Sequence, residues 1–262
     1  MKSPEVSPMT RVTTLLSQKG GVGKSTATVN LADVAAERLV AGLPDDAPSP
    51  VAAVSVDPQG SAKWWAYRVR ELNFHLIQAH DDPIAWLSQL NNLPAISQLF
   101  VDTPGWFDLD PAGDTHGDGL GDGHSADALR AVLDVSDEII VPILTEPLSF
   151  DPTARTIRKL IEPRGIPFRV VINNWDPRDG SHWLDETRNF VTGQGWPLAD
   201  TVIRHYRIHA NASNEGLLVS EYKNLVSEEK RRITDEKKRP TELKAADDFY
   251  KLYDELMTAR VA

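Results

Sequence analysis

The stretch Gln18-Lys19-Gly20-Gly21-Val22-Gly23-Lys24-Ser25-Thr26 constrains this chain more than any other. An apolar run, Val12 to Ser17, precedes it and has the length of a short buried strand. After it, Ala27 to Leu39 carries apolar residues at Leu31, Val34, Ala35 and Leu39, which is helical spacing. Strand, glycine-rich turn and helix, in that order, make a phosphate cradle. Gly20, Gly21 and Gly23 let the backbone curl without Cβ clashes, so N–H groups from Gly20 through Val22 to Thr26 can converge on phosphate oxygens. The helix N-terminus adds the positive end of its dipole. Lys24 supplies a point charge for the β/γ-phosphates, and the Ser25 hydroxyl a ligand for Mg²⁺.

Two further motifs have the chemistry that such a cradle needs. Val51 to Val56 reads as a buried strand and ends in Asp57-Pro58-Gln59-Gly60-Ser61. A carboxylate at that strand end can orient a water for attack on the γ-phosphate. A Pro-Gly turn after a strand would have the same residues. Leu99-Phe100-Val101-Asp102-Thr103-Pro104-Gly105 is an apolar strand closed by an acid, a Walker B pattern, and Asp102 is placed to hold Mg²⁺ or its water ligand. Val170-Val171-Ile172-Asn173-Asn174 ends a later strand. The Asn173 amide offers a donor and an acceptor suited to an adenine edge, and a turn-forming asparagine is the plainer alternative.

Apolar runs also occur at Phe74 to Ala79 and Glu138 to Leu144, with helical patterns between most of the strands. This alternation predicts an α/β fold: a mainly parallel twisted sheet with helices on both faces. Ligands in such folds bind at the carboxyl ends of the strands, where each motif lies. Residues 1–10 read as a loose tail and 11–262 as one domain. Residues 108–124, rich in Gly and Asp, read as a mobile loop; the repeat Asp114, Asp118, Asp122 lacks the spacing of a calcium loop. Trp64, Trp65 and Tyr67 fit either a core or a partner surface.

The form K-G-G-x-G-K-[ST], with Gln18 where the general pattern has glycine, resembles the deviant Walker A loop of the ParA/MinD ATPases. The resemblance covers residues 11 to 258 and includes the Asp57-Pro58-Gln59-Gly60 and Asp102-Thr103-Pro104-Gly105 segments. It departs at Ser55, where many relatives have Asp, and at Arg204, where they often have Pro. It implies a P-loop ATPase with ATP and Mg²⁺ as cofactors. Lys19 would reach across a homodimer to the partner's ATP, and Asp57 would assist hydrolysis. The Gly105 backbone would approach the γ-phosphate, and Asn173 would contact adenine. The segment Thr201 to Gly216 would close the base pocket and approach DNA. It further implies a nucleotide-sandwich homodimer on ATP binding, slow hydrolysis stimulated by a centromere-binding, ParB-type partner, and non-specific DNA binding. The process served would be plasmid or chromosome partition by a cytoplasmic, nucleoid-associated protein.

Composition limits how DNA could be held. With 38 acidic and 28 basic residues the net charge is −10, which excludes a uniformly basic binder and demands a local patch. The candidates are Arg204 and Arg207, then Lys230, Arg231 and Arg232, then Lys237, Lys238 and Arg239. Interleaved acids allow these clusters to be a solvated helix face instead. The absence of cysteine excludes disulfides and cysteine-held iron–sulfur clusters. No signal peptide or long apolar run is evident, and Thr241 to Met257 reads as a docking helix whose polar face carries Asp247, Asp248, Asp254 and Glu255. That acidic face disfavours membrane binding. Two rival readings remain: a MinD-like membrane-cycling ATPase, and a nucleotide-gated scaffold with little hydrolysis.

Overall fold

Six of the short apolar runs become six strands, and each is the strand its composition predicts. The computed structural model describes residues 9–41, 43, 44, 47–105, 107, 109 and 117–258. In chain order the main elements are β1 (Arg11–Leu15), α1 (Lys24–Val40), β2 (Val51–Ser55), α2 (Ser61–Ala66), β3 (His75–Gln78) and α3 (Ile84–Leu87). There follow β4 (Gln98–Asp102), α4 (His124–Asp134), β5 (Glu138–Ile143), α5 (Phe150–Thr156), β6 (Phe168–Ile172) and α6 (His182–Gly193). The chain closes with α7 (Arg207–Glu215), a 3₁₀ segment (Val219–Leu225), α8 (Glu228–Arg231) and α9 (Thr241–Thr258).

The strands form one sheet in the order β3-β2-β4-β1-β5-β6, and every pairing is parallel. β2 and β5 are buried along their whole length, as expected of strands covered on both faces. β3 is half-exposed, because it is an edge strand with one neighbour. Alternation along the strands divides the core. Leu15, Phe100, Ile140 and Val171 pack with α1, α9 and the 3₁₀ segment. Leu16, Ile139, Val141 and Ile172 pack with α5 and α6 on the other face. Val12, Val54, Leu99 and Val101 join Leu87 of α3 and Val132 of α4. Each such fully buried aliphatic side chain contributes roughly 1.5–3 kcal/mol.

Strand register brings the motifs into line. Leu15 and Ser55 both pair with Asp102, and Ser55 pairs with Gln78. The ends of β1, β2, β3 and β4 therefore share one edge, and the loops that follow them face one another.

Three sequence expectations are revised. Residues 1–8 of the expected tail lie outside the described residues, but Thr10 is buried and its hydroxyl donates to Leu93 O and Ile96 O, so the domain includes it. Of the expected mobile loop, residues 108 and 110–116, with Asp114, lie outside the described residues. The stretch 117–123 is pinned: Asp118 accepts from Arg130 at 2.8 Å and from Arg164 at 2.6 Å. These guanidiniums hold the Asp118 carboxyl well below the usual carboxylate range. Asp248 is not on the polar face of α9. It is buried and bound to Arg204.

Candidate nucleotide site

The glycine-rich loop joins β1 to α1, and its conformation depends on glycine at two points. Gly21 and Gly23 have φ of 74° and 85°, in the left-handed region. No side chain caps α1, so its first N–H groups face the loop. Gly20 lies against the end of β4: a Cβ there would sit 3.3 Å from Gly105 O. The Asp-Thr-Pro-Gly segment thus touches the loop directly.

Lys24 is only 5% exposed and its Nζ donates to Ser17 O at 3.2 Å. Burial pushes its pKa down, while the carboxylates of Asp102 and Asp57 pull it up. The ammonium is poised on a weak carbonyl partner where a phosphate would hold it better. Ser25 Oγ donates to Asp102 Oδ2 at 2.8 Å, and Ser55 Oγ donates to the same oxygen at 3.3 Å. Asp102 Oδ1 is buried without a hydrogen-bond partner. Burial raises the Asp102 pKa to about 6; Asp57 adds to the rise, and Ser25 and Lys24 oppose it. An orphaned carboxylate oxygen beside a serine hydroxyl fits a divalent cation that takes its other ligands from water and phosphate. Among the described residues there is no group of three or more His, Asp or Glu that could enclose a metal alone.

Asp57 is 7% exposed at the end of β2, in a tight turn. Its Oδ1 accepts from Gln59 N at 2.9 Å, and its carbonyl accepts from Gly60 N at 3.0 Å. Asn173 is buried at the end of β6, and its amide donates to Val22 O at 2.6 Å. That bond fastens β6 to the loop. A Cβ at Gly23 would come within 2.3 Å of the same amide nitrogen. The sequence shows neither contact. Asn174 has φ of 60° and its Oδ1 pairs with His205 Nδ1 at 2.7 Å. A cavity of about 580 Å³ runs from the glycine loop past Asn173 and Asn174 to His205, Tyr206 and His209, with the loop at one end and aromatic rings at the other. His209 lies tilted against Tyr222 and edge-on to Phe249, and burial pushes its pKa down to about 4, so it is a neutral wall of that cavity.

Lys19 behaves differently from Lys24. Its Nζ is ion-paired with Glu146, which follows β5. Glu146 carries no chemical signal in the sequence, and nothing in its local spacing ties it to Lys19.

The basic candidates separate into two groups. Arg204 is enclosed: it meets Asp248 at 2.7 Å, Glu236 at 2.8 Å and the Lys244 carbonyl at 3.3 Å. Arg239 is held by Asp247 through two hydrogen bonds. Both are structural ties. Arg207, Lys230, Arg231, Arg232, Lys237 and Lys238 are exposed. Arg207 and Lys237 line a cleft of about 570 Å³ to which Arg178 and Lys244, absent from the sequence candidates, also contribute.

The family model for the CobQ/CobB/MinD/ParA nucleotide binding domain matches residues 13–219. The chain is 32% identical over 214 residues to "Maintenance of carboxysome distribution protein A" of Gloeobacter kilaueensis, covering 81% of this chain and 85% of that protein. Its fold is similar to MinD of Pyrococcus horikoshii, solved with Mg-ADP, at TM-score 0.64 and 18% identity, covering 97% and 98% of the two chains. It is equally similar, at TM-score 0.64 and 15% identity, to a chain of the MinC:MinD complex of Aquifex aeolicus, covering 95% and 96%.

Proposed function

This chain belongs to the CobQ/CobB/MinD/ParA nucleotide-binding family, whose ATPases use Mg²⁺ with ATP, and from that premise we propose that it is a DNA-bound positioning ATPase. On ATP binding it forms a homodimer, holds DNA without regard to sequence, and distributes a cargo through a partner protein. The sequence resemblance points to a replicon as cargo, with a ParB-type adaptor. The name of the Gloeobacter relative widens the class of cargo to the carboxysome. The two cargoes share one engine and differ in the adaptor.

The observation that supports this reading is the separation of the two loop lysines. Lys24 is buried against β1, whereas Lys19 points out of the cradle to Glu146. A lysine held outside its own cradle is available to a second nucleotide across a dimer. The chain's own residues then have these tasks. The loop N–H groups and Lys24 bind the phosphates, and Ser25 with Asp102 would hold Mg²⁺, which supplies charge neutralisation at the phosphates. Asp57 holds the attacking water and accepts its proton at a carboxylate oxygen. Asn173 and Asn174 border the base.

The exposed cations Arg207, Lys230, Arg231, Arg232, Lys237 and Lys238 form the DNA patch in this reading. A dimer sets two patches side by side, so weak single-chain contacts become one bivalent site. Against the membrane-cycling rival, α9 buries Leu243, Phe249, Leu252 and Leu256, so its apolar face is used in the core and is not free for a lipid surface. The test is a salt titration of random duplex with ATP and with ADP. Binding only with ATP, falling by a log–log slope of about −0.9 per phosphate neutralised, is expected. Absence of salt-sensitive binding with ATP would return the assignment to the scaffold or the membrane-cycling rival.

A further inference from the structure

The Asp57 turn is held from outside the nucleotide cavity. Gln78 is the last residue of edge strand β3 and pairs in register with Ser55. Its side chain reaches over the end of β2, where Nε2 donates to Asp57 O at 2.9 Å and lies 3.3 Å from Ser55 O. The same nitrogen meets His80 Nδ1 at 3.1 Å. His80 Nε2 is in turn 2.9 Å from Asp81 Oδ2. With the Nε2 proton directed to Asp81, Nδ1 is left as an acceptor, and the amide can present only its N–H₂ to all three acceptors. The orientation comes at the expense of Gln78 Oε1, which is buried and unpartnered beside Gly60. A surface carboxylate, an imidazole and an amide thus form a chain that ends on the backbone of Asp57.

We propose that Gln78 is a positioning residue for ATP hydrolysis: by gripping the Asp57 carbonyl it sets the turn from which the Asp57 carboxylate addresses water. His80 and Asp81 keep its amide in the donating orientation. Gln78 is not among the residues that line the nucleotide cavity and acts only through Asp57. This rests on the reading of Asp57 as the water-positioning group. It adds a dependence of turnover on an edge strand that no phosphate-binding motif includes.

The test uses Gln78→Met and Gln78→Glu, two replacements of similar length that cannot donate. The half-buried edge position lets both fold, and their thermal unfolding is measured alongside. Expected is a fall in kcat of about 10- to 100-fold, the scale of a misplaced reacting group, with ATP affinity unchanged. In the nucleotide-free protein, amide exchange should quicken at Gln59 and Gly60, whose N–H groups bond to Asp57. In an Asp57→Ala background, Gln78→Met should slow the residual rate no further, since both changes disable one group. Wild-type kcat in both Gln78 variants, unaltered exchange at Gln59 and Gly60, or a full additional loss in the Asp57→Ala background each overturns the proposal. Normal turnover by Asp57→Ala alone overturns the role of Asp57, and the positioning role with it, whatever Gln78→Met does.

Discussion

Asp102 is an ion that the nucleotide-free fold holds at a disadvantage. Burial raises its pKa from 3.8 to about 6, which at 1.36 kcal/mol per unit is roughly 3 kcal/mol. Its folded-state pKa lies above the unfolded one, so this carboxyl favours the fold fully below about pH 4 and progressively less as pH rises through 6. Asp102→Asn should therefore raise the unfolding midpoint of the nucleotide-free protein at pH 7.5, with the advantage shrinking toward pH 4. It should also abolish the Mg²⁺-dependent part of nucleotide binding. Equal midpoints for wild type and variant across that range would remove the electrostatic account. Lys19 gives a second prediction at this scale. If Glu146 competes with the partner's nucleotide for its ammonium, Glu146→Gln should increase the ATP-induced dimer fraction, and Lys19→Ala should lose it while still binding ATP. Sedimentation with ATP reads both; a dimer fraction unmoved by either change leaves Lys19 as a loop lysine.

At the scale of elements, polar side chains fasten segments that hydrophobic packing alone would leave loose. Asn30 and Asp33 lie on the buried face of α1, where Asn30 Oδ1 accepts from Val219 N and Asp33 Oδ2 from Ser220 N. They act as a remote cap for the 3₁₀ segment, which ties the base-side chain to the helix that starts in the phosphate loop. Asp118 does the same for residues 117–123 with Arg130 and Arg164. Because its folded pKa is depressed, its contribution is present above the ordinary carboxylate range and is lost as pH falls below it. Asp118→Ala should cost about 1–3 kcal/mol, below the 3–5 of a fully buried pair because the site is partly wetted. Amide exchange at 117–123 should quicken. Unchanged stability in a denaturant titration would mean that packing at Leu120, not the ion pair, holds this stretch.

At the scale of the whole molecule, a net charge of −10 makes the position of each free cation decisive for the proposed DNA contact. Arg204 and Arg207 are three residues apart, yet the fold uses them oppositely. Arg204→Ala would leave the buried Asp248 carboxylate without its cation and with only the backbone N–H of residue 204, so it should destabilise the protein by about 3–5 kcal/mol. Any loss of DNA binding it causes should follow from unfolding. Arg207→Ala and Lys237→Ala should leave the unfolding midpoint unchanged and lower the salt slope of duplex binding by about one for each phosphate no longer neutralised. A stable Arg204→Ala protein with a reduced salt slope would reverse this division.

The glycine-rich turn between β1 and α1 was legible because a single backbone geometry demands it. Left-handed φ at Gly21 and Gly23, followed by Lys24 and Ser25 at a helix start, is a local requirement, and local requirements are written in consecutive residues. The six strands were legible for a similar reason, since a parallel sheet covered on both faces needs uninterrupted apolar runs. Pairings between distant segments were not legible. Lys19 with Glu146, Asn173 with Val22, Gln78 with Asp57 and Arg204 with Asp248 are set by strand order and by where helices dock. A charged or amide side chain carries the same letter whether it faces water, DNA or a buried partner. Consecutive residues thus specify the cradle, the sheet and the chemistry available at its edge. Which of these ions are free to act, and which are consumed in holding the fold, is settled by tertiary packing, because desolvation and partner distance are properties of the folded chain.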